Sequence, residues 1–305
     1  MSSNNNPATI DADSYVIMFG GKGGVGKTTC AGAMALHHAS QGDKTLIITT
    51  DPAPSLSHIF ENKSEQKPAK VMENLYMSEL GIEEVQGMWD RKFGREVYEV
   101  FSSFVSIGYQ EFVEYVSVMM PGMREEFMVD YIKLLIDDRE YDQVIWDTAP
   151  LGQTIGLLHT PTMLREHLKP AAKIYSRIKT TERSKRSVLN IIKGWEELSL
   201  EDVNFLRTRV KFVIVTIPEA LAVQQLYGLI AEFKEHDFKI ERLIVNNVVE
   251  EADSEFLRIK REQQQGYIQE LHRRFGGIEM VEVPLSPQEI KGVERLREVE
   301  RRLFG

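Results

Sequence analysis

The stretch that decides the fold reads Gly20-Gly21-Lys22-Gly23-Gly24-Val25-Gly26-Lys27-Thr28-Thr29. It contains the Walker A pattern G-x-x-x-x-G-K-S/T, directly after an apolar run typical of a strand and directly before a helical pattern rich in alanine. Glycines let such a loop curl so that its backbone N–H groups point at a phosphate, and the helix that follows adds its positive N-terminal dipole. The stretch therefore predicts a nucleotide-binding strand–loop–helix unit of an α/β fold.

The rest of the chain repeats this alternation of strand and helix. Apolar runs typical of buried parallel strands occur at residues 15–19, 44–49, 143–146, 211–216, 242–245 and 278–283. Helical patterns occur at residues 28–41, 221–236, 255–275 and 287–303. We predict a doubly wound, mostly parallel sheet.

Two intervals, residues 81–140 and 157–209, interrupt this alternation, because they show helical periodicity and hardly any strand signal. They predict an inserted all-helical subdomain. The nucleotide-binding core then comprises residues 14–80, 141–156 and 210–305, and the polar residues 1–13 form a disordered tail.

Composition excludes several classes of protein. The chain has 305 residues, 42% of them hydrophobic, and a formal net charge of −9, which disfavours nucleic acid as a partner. Its single cysteine, Cys30, excludes a disulfide framework or a two-cysteine metal site within one chain and fits a reducing cytoplasm. Neither a secretory signal nor an apolar run long enough to span a membrane is visible. We expect a soluble cytoplasmic protein.

Each part of the Walker loop has an expected role at an ATP–Mg²⁺ site. Residues 21–29, from Gly21, Lys22, Gly23, Gly24 and Val25 through Gly26, Lys27, Thr28 and Thr29, are predicted to bind ATP. Lys27 should neutralise charge on the β- and γ-phosphates. The Thr28 hydroxyl should ligate Mg²⁺, and Thr29 can bond another phosphate oxygen.

Two aspartates follow predicted strands beside this loop. Asp51 opens Asp51-Pro52-Ala53-Pro54, and a carboxylate there can orient the attacking water. Asp147 opens Asp147-Thr148-Ala149-Pro150 and matches a Walker B aspartate that holds Mg²⁺ through water. Either one alone reads as a helix cap or turn residue, but together they favour catalysis.

Later strand ends supply candidates for the nucleotide base. Asn246 follows an apolar strand and can read adenine by paired amide hydrogen bonds, although a role in capping a loop is the alternative. Pro284 and Leu285 follow the last predicted strand and can flank the base.

The first helical interval is rich in methionine and phenylalanine. The client-binding candidates are Met88, Phe93, Met119, Met120, Met123, Phe127 and Met128. Methionine fills gaps in cores, so a plain helical core is one interpretation, and an adaptable apolar groove is the other. A run of Lys and Arg between Arg165 and Lys193 reads as a solvated helix face, or else as a contact for phospholipid or an acidic partner.

Lys22 is a second lysine that the curl of the loop does not require. A lysine at this position resembles the signature lysine of the deviant Walker A class, which includes the ParA and MinD proteins and the nitrogenase iron protein. The resemblance implies that Lys22 reaches the nucleotide of a partner subunit and supplies positive charge in trans, as an arginine finger does. The catalytic set is then Asp51, Lys22 and Lys27, in a homodimer.

Taken in order along the chain, the motifs resemble one branch of this class, the family of the arsenical pump-driving ATPase and the tail-anchored membrane-protein targeting ATPase of the Get/TRC pathway. The segments that carry the resemblance are residues 20–29, Asp51-Pro52-Ala53, Asp147-Thr148-Ala149-Pro150, Pro218-Glu219, Ile244-Val245-Asn246, Val283-Pro284-Leu285 and Glu289-Ile290-Lys291-Gly292. The resemblance implies a symmetric dimer that closes on ATP and a composite apolar groove formed by the helical insertions.

By the same resemblance, the leading functional hypothesis is an ATP-hydrolysing factor that binds the hydrophobic tails of tail-anchored proteins. It would be cytoplasmic and transiently membrane-associated, with a membrane receptor as a possible partner. The alternatives are an ATPase subunit that drives an anion or metalloid pump, and a general nucleotide-switched holdase chaperone.

The sequence also departs from the family pattern. Members that hold a dimer with zinc use Cys-x-x-Cys, and Ser254 and Leu257 stand there in this chain, so no zinc is expected. One cysteine also cannot build the multi-thiolate arsenite site of the pump ATPase. Pro54, His58 and Gln153 replace residues that are common in the two switch segments.

Overall fold

The computed structural model describes residues 15–49, 55–62, 67–102, 106–113, 123–148, 166 and 182–305. Its strands are β1 (Tyr15–Gly21), β2 (Thr45–Thr49), β3 (Ala69–Met72), β4 (Leu75–Glu79), β5 (Gln143–Asp147), β6 (Val210–Thr216), β7 (Ile240–Val248) and β8 (Glu279–Pro284). They form one 8-stranded sheet in the order β3-β4-β2-β5-β1-β6-β7-β8. Every neighbouring pair is parallel except β3 with β4. The predicted mostly parallel α/β sheet is confirmed.

Helices cover both faces of this sheet. They are α1 (Lys27–Ser40), α2 (Leu56–Ile59), α3 (Ile82–Trp89), α4 (Arg95–Ser102), α5 (Met123–Asp137), α6 (Glu182–Thr208), α7 (Ala220–Glu235), α8 (Glu255–Phe275) and α9 (Gly292–Phe304). A π-helical turn, Asp90–Gly94, joins α3 to α4. The described part contains no helix that is both long enough and apolar enough to cross a membrane.

Successive side chains of the central strands enter two different cores. Val16 and Met18 of β1 belong to one cluster, and Ile17 and Phe19 belong to the other. Because side chains alternate across a strand and this sheet is covered on both faces, almost every residue of β1 is buried. This is why the strands read as continuous apolar runs in the sequence.

The two faces carry different sets of helices. Helices α1, α2 and α9 pack into the core that contains Phe19, whereas α3, α5, α6, α7 and α8 pack into the core that contains Val16. Trp89 of α3 and Phe205 of α6 share that second core with the sheet. The described helices of the predicted insertions therefore form a layer on one sheet face. Their treatment as a separate subdomain stays a prediction.

The sequence patterns missed three local elements. Strands β3 and β4 form an antiparallel pair joined by a tight turn in which Asn74 adopts a φ of 61°. They escaped prediction because β3 is short and carries an exposed Lys70 at the edge of the sheet. The π-helical turn escaped because the spacing of Trp89 and Phe93 also fits a regular α-helix.

Candidate functional site

The predicted nucleotide residues meet at one edge of the sheet. β1 ends at Gly21 and leads through the Walker loop into α1, while β5, its neighbour in the sheet, ends at Asp147. Asn246 lies near the end of β7, and β8 ends at Pro284. The carboxyl ends of parallel strands point to the same edge, so the strand–loop–helix unit and both later loops lie at one edge of the sheet. That the loop after β8 contacts the nucleotide base stays a prediction.

The Walker loop is held curled around its lysine. Gly26 caps α1 with a φ of 94°, a left-handed conformation that favours glycine. The Lys27 side chain is buried, and its Nζ donates to the Lys22 carbonyl oxygen at 3.2 Å. Lys22 itself is partly exposed, and its side chain makes no hydrogen bond or ion pair within the described residues. One lysine therefore lies inside the loop and the other lies at its outer side.

Thr28 and Asp147 are brought together from distant parts of the chain. The Thr28 hydroxyl donates to the Asp147 carboxylate at 2.6 Å, and Asp147 is only 1% exposed. A hydroxyl and a carboxylate are the oxygen ligands that Mg²⁺ prefers, so this pair fits the predicted metal position. Thr148 donates to the Phe19 carbonyl oxygen at 2.7 Å and thereby ties the segment after β5 to β1.

Asn246 has a contact that the sequence did not predict. Its amide Nδ2 donates to the Val25 carbonyl oxygen at 2.9 Å, so a residue of β7 holds the Walker loop by a hydrogen bond to its backbone. The predicted adenine contact of Asn246 stays a prediction. Leu285, which bonds through its backbone N–H to the Val248 carbonyl oxygen at 2.8 Å, keeps an exposed side chain.

Asp51 and the prolines around it lie outside the described residues, as does Gln153. The structure does describe how the following helix is anchored. The Glu79 carboxylate, at the end of β4, accepts from the backbone N–H groups of Leu56 and Ser57 at 2.7 and 3.1 Å. This cap fixes the start of α2. No local pattern could have predicted it, because Glu79 is remote in sequence from the helix that it caps.

The client-binding candidates fall into three groups. Met88 and Phe93 are half-buried, and Met88 lines a pocket of about 330 Å³ together with Leu80 and Tyr131. Met123 and Phe127 lie on α5. Met119 and Met120 are outside the described residues.

Met128 corrects one part of the predicted groove. It is 3% exposed and packs in the core between the helical layer and the sheet. A client could reach it only if α5 moved away from the sheet. In this conformation its role is that of a core residue, as the gap-filling interpretation of methionine predicts.

The residues aligned with a zinc motif have ordinary structural roles. Ser254 caps α8, and its side-chain oxygen accepts from the Leu257 backbone N–H at 3.3 Å. Within the described ranges, no group of three or more His, Cys, Asp or Glu residues is placed to hold a metal ion.

Cys30 should be chemically inert in the folded protein. The thiol is fully buried behind the Walker loop, and burial, with a smaller contribution from Asp147, raises its pKa to about 12. We expect no reaction with a thiol reagent at about pH 8 in native buffer and prompt reaction after addition of guanidinium. Rapid labelling of the folded protein would contradict this assignment. A Cys30→Ala protein serves as the control for labelling at other sites.

Comparison with known proteins agrees with this geometry. The family model described as anion-transporting ATPase matches residues 14–305. A protein of Aquifex aeolicus (strain VF5), named as an arsenical pump-driving ATPase, is 31% identical over 292 residues, which are 93% of this chain and 97% of that protein. ATPase GET3A of Arabidopsis thaliana is 28% identical over 310 residues, which are 94% of this chain and 83% of that protein.

A third relative, ATPase ASNA1 homolog 1 of Paramecium tetraurelia, is 26% identical over 311 residues, which are 92% of this chain and 90% of that protein. These similarities extend over nearly the whole chain, from the Walker loop to the last helix. The predicted resemblance is confirmed: the chain belongs to the anion-transporting ATPase family and is an ATP-hydrolysing enzyme.

Proposed function

We propose that this ATPase is a homodimeric targeting factor that binds the hydrophobic transmembrane segments of tail-anchored proteins and releases them according to its nucleotide state. The observation that carries the proposal is the connection between α5 and β5. The α5 helix lies in the layer with the apolar candidates, and β5, the next strand in the chain, ends at Asp147 beside Thr28. Strand β5 therefore joins the nucleotide edge, at its carboxyl end, to α5, which precedes its other end.

In this proposal each polar residue of the site has one task. Lys27 holds the β- and γ-phosphates, and Thr28 with Asp147 holds Mg²⁺, which neutralises charge on the transferred phosphoryl group when bound. Asp51 orients the attacking water. Lys22 serves the nucleotide of the other subunit, which agrees with its position at the outer side of the loop and its lack of a partner within the described residues.

The names of the relatives point to two uses of such an ATPase. GET3A, GET3B and GET3C of Arabidopsis thaliana support targeting, and the Aquifex aeolicus protein supports a pump. A pump for arsenite needs soft thiolate ligands, yet the only cysteine of this chain is buried and protonated. We therefore favour targeting over an arsenite pump. The proposed targeting function implies a cytoplasmic protein with transient membrane contact through a receptor.

An Asp51→Asn protein should bind ATP but hydrolyse it at least about a hundredfold more slowly, because the attacking water loses the carboxylate that orients it. Clients would then stay bound. The measurement is co-purification, in ATP, of a co-expressed tail-anchored protein with the Asp51→Asn chain. The matched client has its apolar tail interrupted by aspartates.

Two outcomes separate the parts of this proposal. Undiminished turnover in Asp51→Asn would contradict the catalytic role. Slow turnover without enrichment of the intact client over the interrupted one would contradict the targeting function.

Replacing Met119, Met120 and Met123 by Asp should abolish client capture and leave ATP hydrolysis within about twofold, whereas loss of hydrolysis would identify these residues as core.

A further inference from the structure

A cluster of charged side chains lies where α5 packs on α6, and two of its carboxylates, those of Asp130 and Asp202, are buried. Asp130 and Lys133 come from α5, Glu201 and Asp202 come from α6, and Lys92 comes from the π-helical turn. The nucleotide site and the proposed groove use none of them. Buried charges are retained in proteins only when they are paired or serve a function.

Asp202 is the least satisfied member of this cluster. Its side chain is 0% exposed. One carboxylate oxygen accepts from Lys133 Nζ at 3.2 Å, and the other, Oδ2, has no hydrogen-bond partner in the described part of the chain. Lys133 is shared, because its Nζ also donates to Glu201 at 3.0 Å. The Asp202 carboxylate thus shares its counter-ion with Glu201, and one of its oxygens has no hydrogen-bond partner within the described residues.

The surroundings add negative charge. Asp130 is buried nearby and is itself bonded to Lys92, so Lys92 is not available to Asp202. Burial raises the pKa of Asp202 to about 6, Lys133 opposes this rise, and Asp130 and Glu201 add to it. At neutral pH the carboxylate is therefore ionised at a position that favours its protonated form.

In the described part of the chain, the charged residues of the other elements that pack on α6 do not pair with Asp202. Helix α4, which also packs on α6, carries Arg95, Glu96 and Glu99, and all three are exposed. Arg95 lies over the Tyr109 ring at 4.1 Å. Strand β6 brings Lys211, which pairs with Glu241 at 3.7 Å.

We propose that Asp202 is a proton-sensitive latch between α5 and α6, which holds the two helices together when protonated and favours their separation when ionised. Separation lets water reach the carboxylate and its unsatisfied oxygen, so the ionised form gains hydration that the packed form denies it. The latch needs no nucleotide. Its use in opening the helical layer for a client rests on the proposed function.

The direction of the pH effect follows from linkage. An acid whose pKa is raised in the packed state binds more protons there than in the open state. The packed state is therefore stabilised as pH falls through about 6, and this stabilisation is lost as pH rises above it. The equilibrium between packed and open helices should shift about tenfold between about pH 5 and about pH 7.5.

The test is hydrogen exchange of peptides from α5 and α6 in the full chain without nucleotide, corrected for the intrinsic pH dependence of exchange. We expect about tenfold stronger protection at about pH 5 than at about pH 7.5. An Asp202→Asn protein should show the same protection at both pH values. Glu197→Gln, an exposed carboxylate on the same helix, should respond as the unchanged protein does.

Equal protection of the unchanged protein at both pH values would overturn the latch, and so would a pH response that survives in Asp202→Asn. If Asp202→Asn does not fold, Lys133→Met supplies the second measurement. Removing this counter-ion should move the midpoint of the pH-dependent change in protection to higher pH. A transition that does not move would also overturn the proposal, and none of these outcomes depends on client binding.

Discussion

A Lys22→Ala protein and a Lys27→Ala protein, each nearly inactive alone, are expected to regain ATP hydrolysis when they are mixed. In a mixed dimer, the Lys22→Ala subunit has a loop with an intact Lys27, and the Lys27→Ala subunit supplies Lys22 to that loop across the interface. One of the two sites is then complete. If subunits pair at random, the mixture should recover roughly a quarter of the unchanged rate.

The expected loss in each single variant is large. Removing Lys22 should lower kcat at least about a thousandfold, because a cation supplied in trans to the transferring phosphoryl group contributes at that scale. Removing Lys27 takes away the charge that holds the β- and γ-phosphates within the same loop. The structure supports this division of roles. Lys27 is buried with its Nζ on the Lys22 carbonyl oxygen, whereas the Lys22 side chain is partly exposed. Lys22 is therefore free to act outside its own loop.

The control is a mixture of Lys22→Ala with a subunit that carries both substitutions, which should remain inactive. Titrating one variant against a fixed amount of the other should give a rate that follows the number of mixed dimers. If the two single variants do not complement each other although mixed dimers form, Lys22 acts within its own subunit and the proposed trans role is wrong.

A Gly26→Ala protein should lose ATP binding and a large part of its stability. Gly26 has a φ of 94°, and an added Cβ would lie 2.2 Å from Nδ2 of Asn246. The methyl group would displace the amide that bonds to the Val25 carbonyl oxygen. We expect the free energy of unfolding to fall by about 2–4 kcal/mol, from left-handed backbone strain together with overpacking. Affinity for ATP should fall at least about a hundredfold.

Gly24→Ala is the matched control for this prediction. Gly24 also has a positive φ, 78°, but no atom lies within 4 Å of its added Cβ. Its free energy of unfolding should therefore fall only through left-handed backbone strain, by about 1–2 kcal/mol. A Gly26→Ala/Asn246→Ala protein should recover part of the stability lost in Gly26→Ala, because the clash is removed. Equal losses in Gly24→Ala and Gly26→Ala would show that the close approach of Asn246 is not the cause. Chemical denaturation and nucleotide titration measure both quantities.

Much of the nucleotide edge could be predicted because its signals are local. The Walker loop, the strand before it and the helix after it are contiguous, and Asp147 follows an apolar run directly. Thr28 and Asp147 were predicted to serve one Mg²⁺ ion, and the end of β5 lies at the same sheet edge as the loop after β1. The distance of 2.6 Å between them agrees with that expectation.

Other contacts of the site could not be predicted, because their partners are far apart in sequence. Asn246 supports the Walker loop through Val25, and Glu79 caps α2. Neither residue carries a local pattern that names its partner. The same holds for Met128, whose sequence environment suits a groove as well as a core.

The sequence alone determined the α/β class, the position of the nucleotide loop and the family, because short contiguous motifs and hydrophobic periodicity encode local structure and strand burial. Only the tertiary structure decided which polar groups are buried together. Asp130, Lys133, Glu201 and Asp202 read as ordinary charged residues of two amphipathic helices, yet helix packing buries two of their carboxylates, each beside a lysine. Burial and counter-ion sharing depend on how elements pack, and one helix's own periodicity does not specify its neighbour.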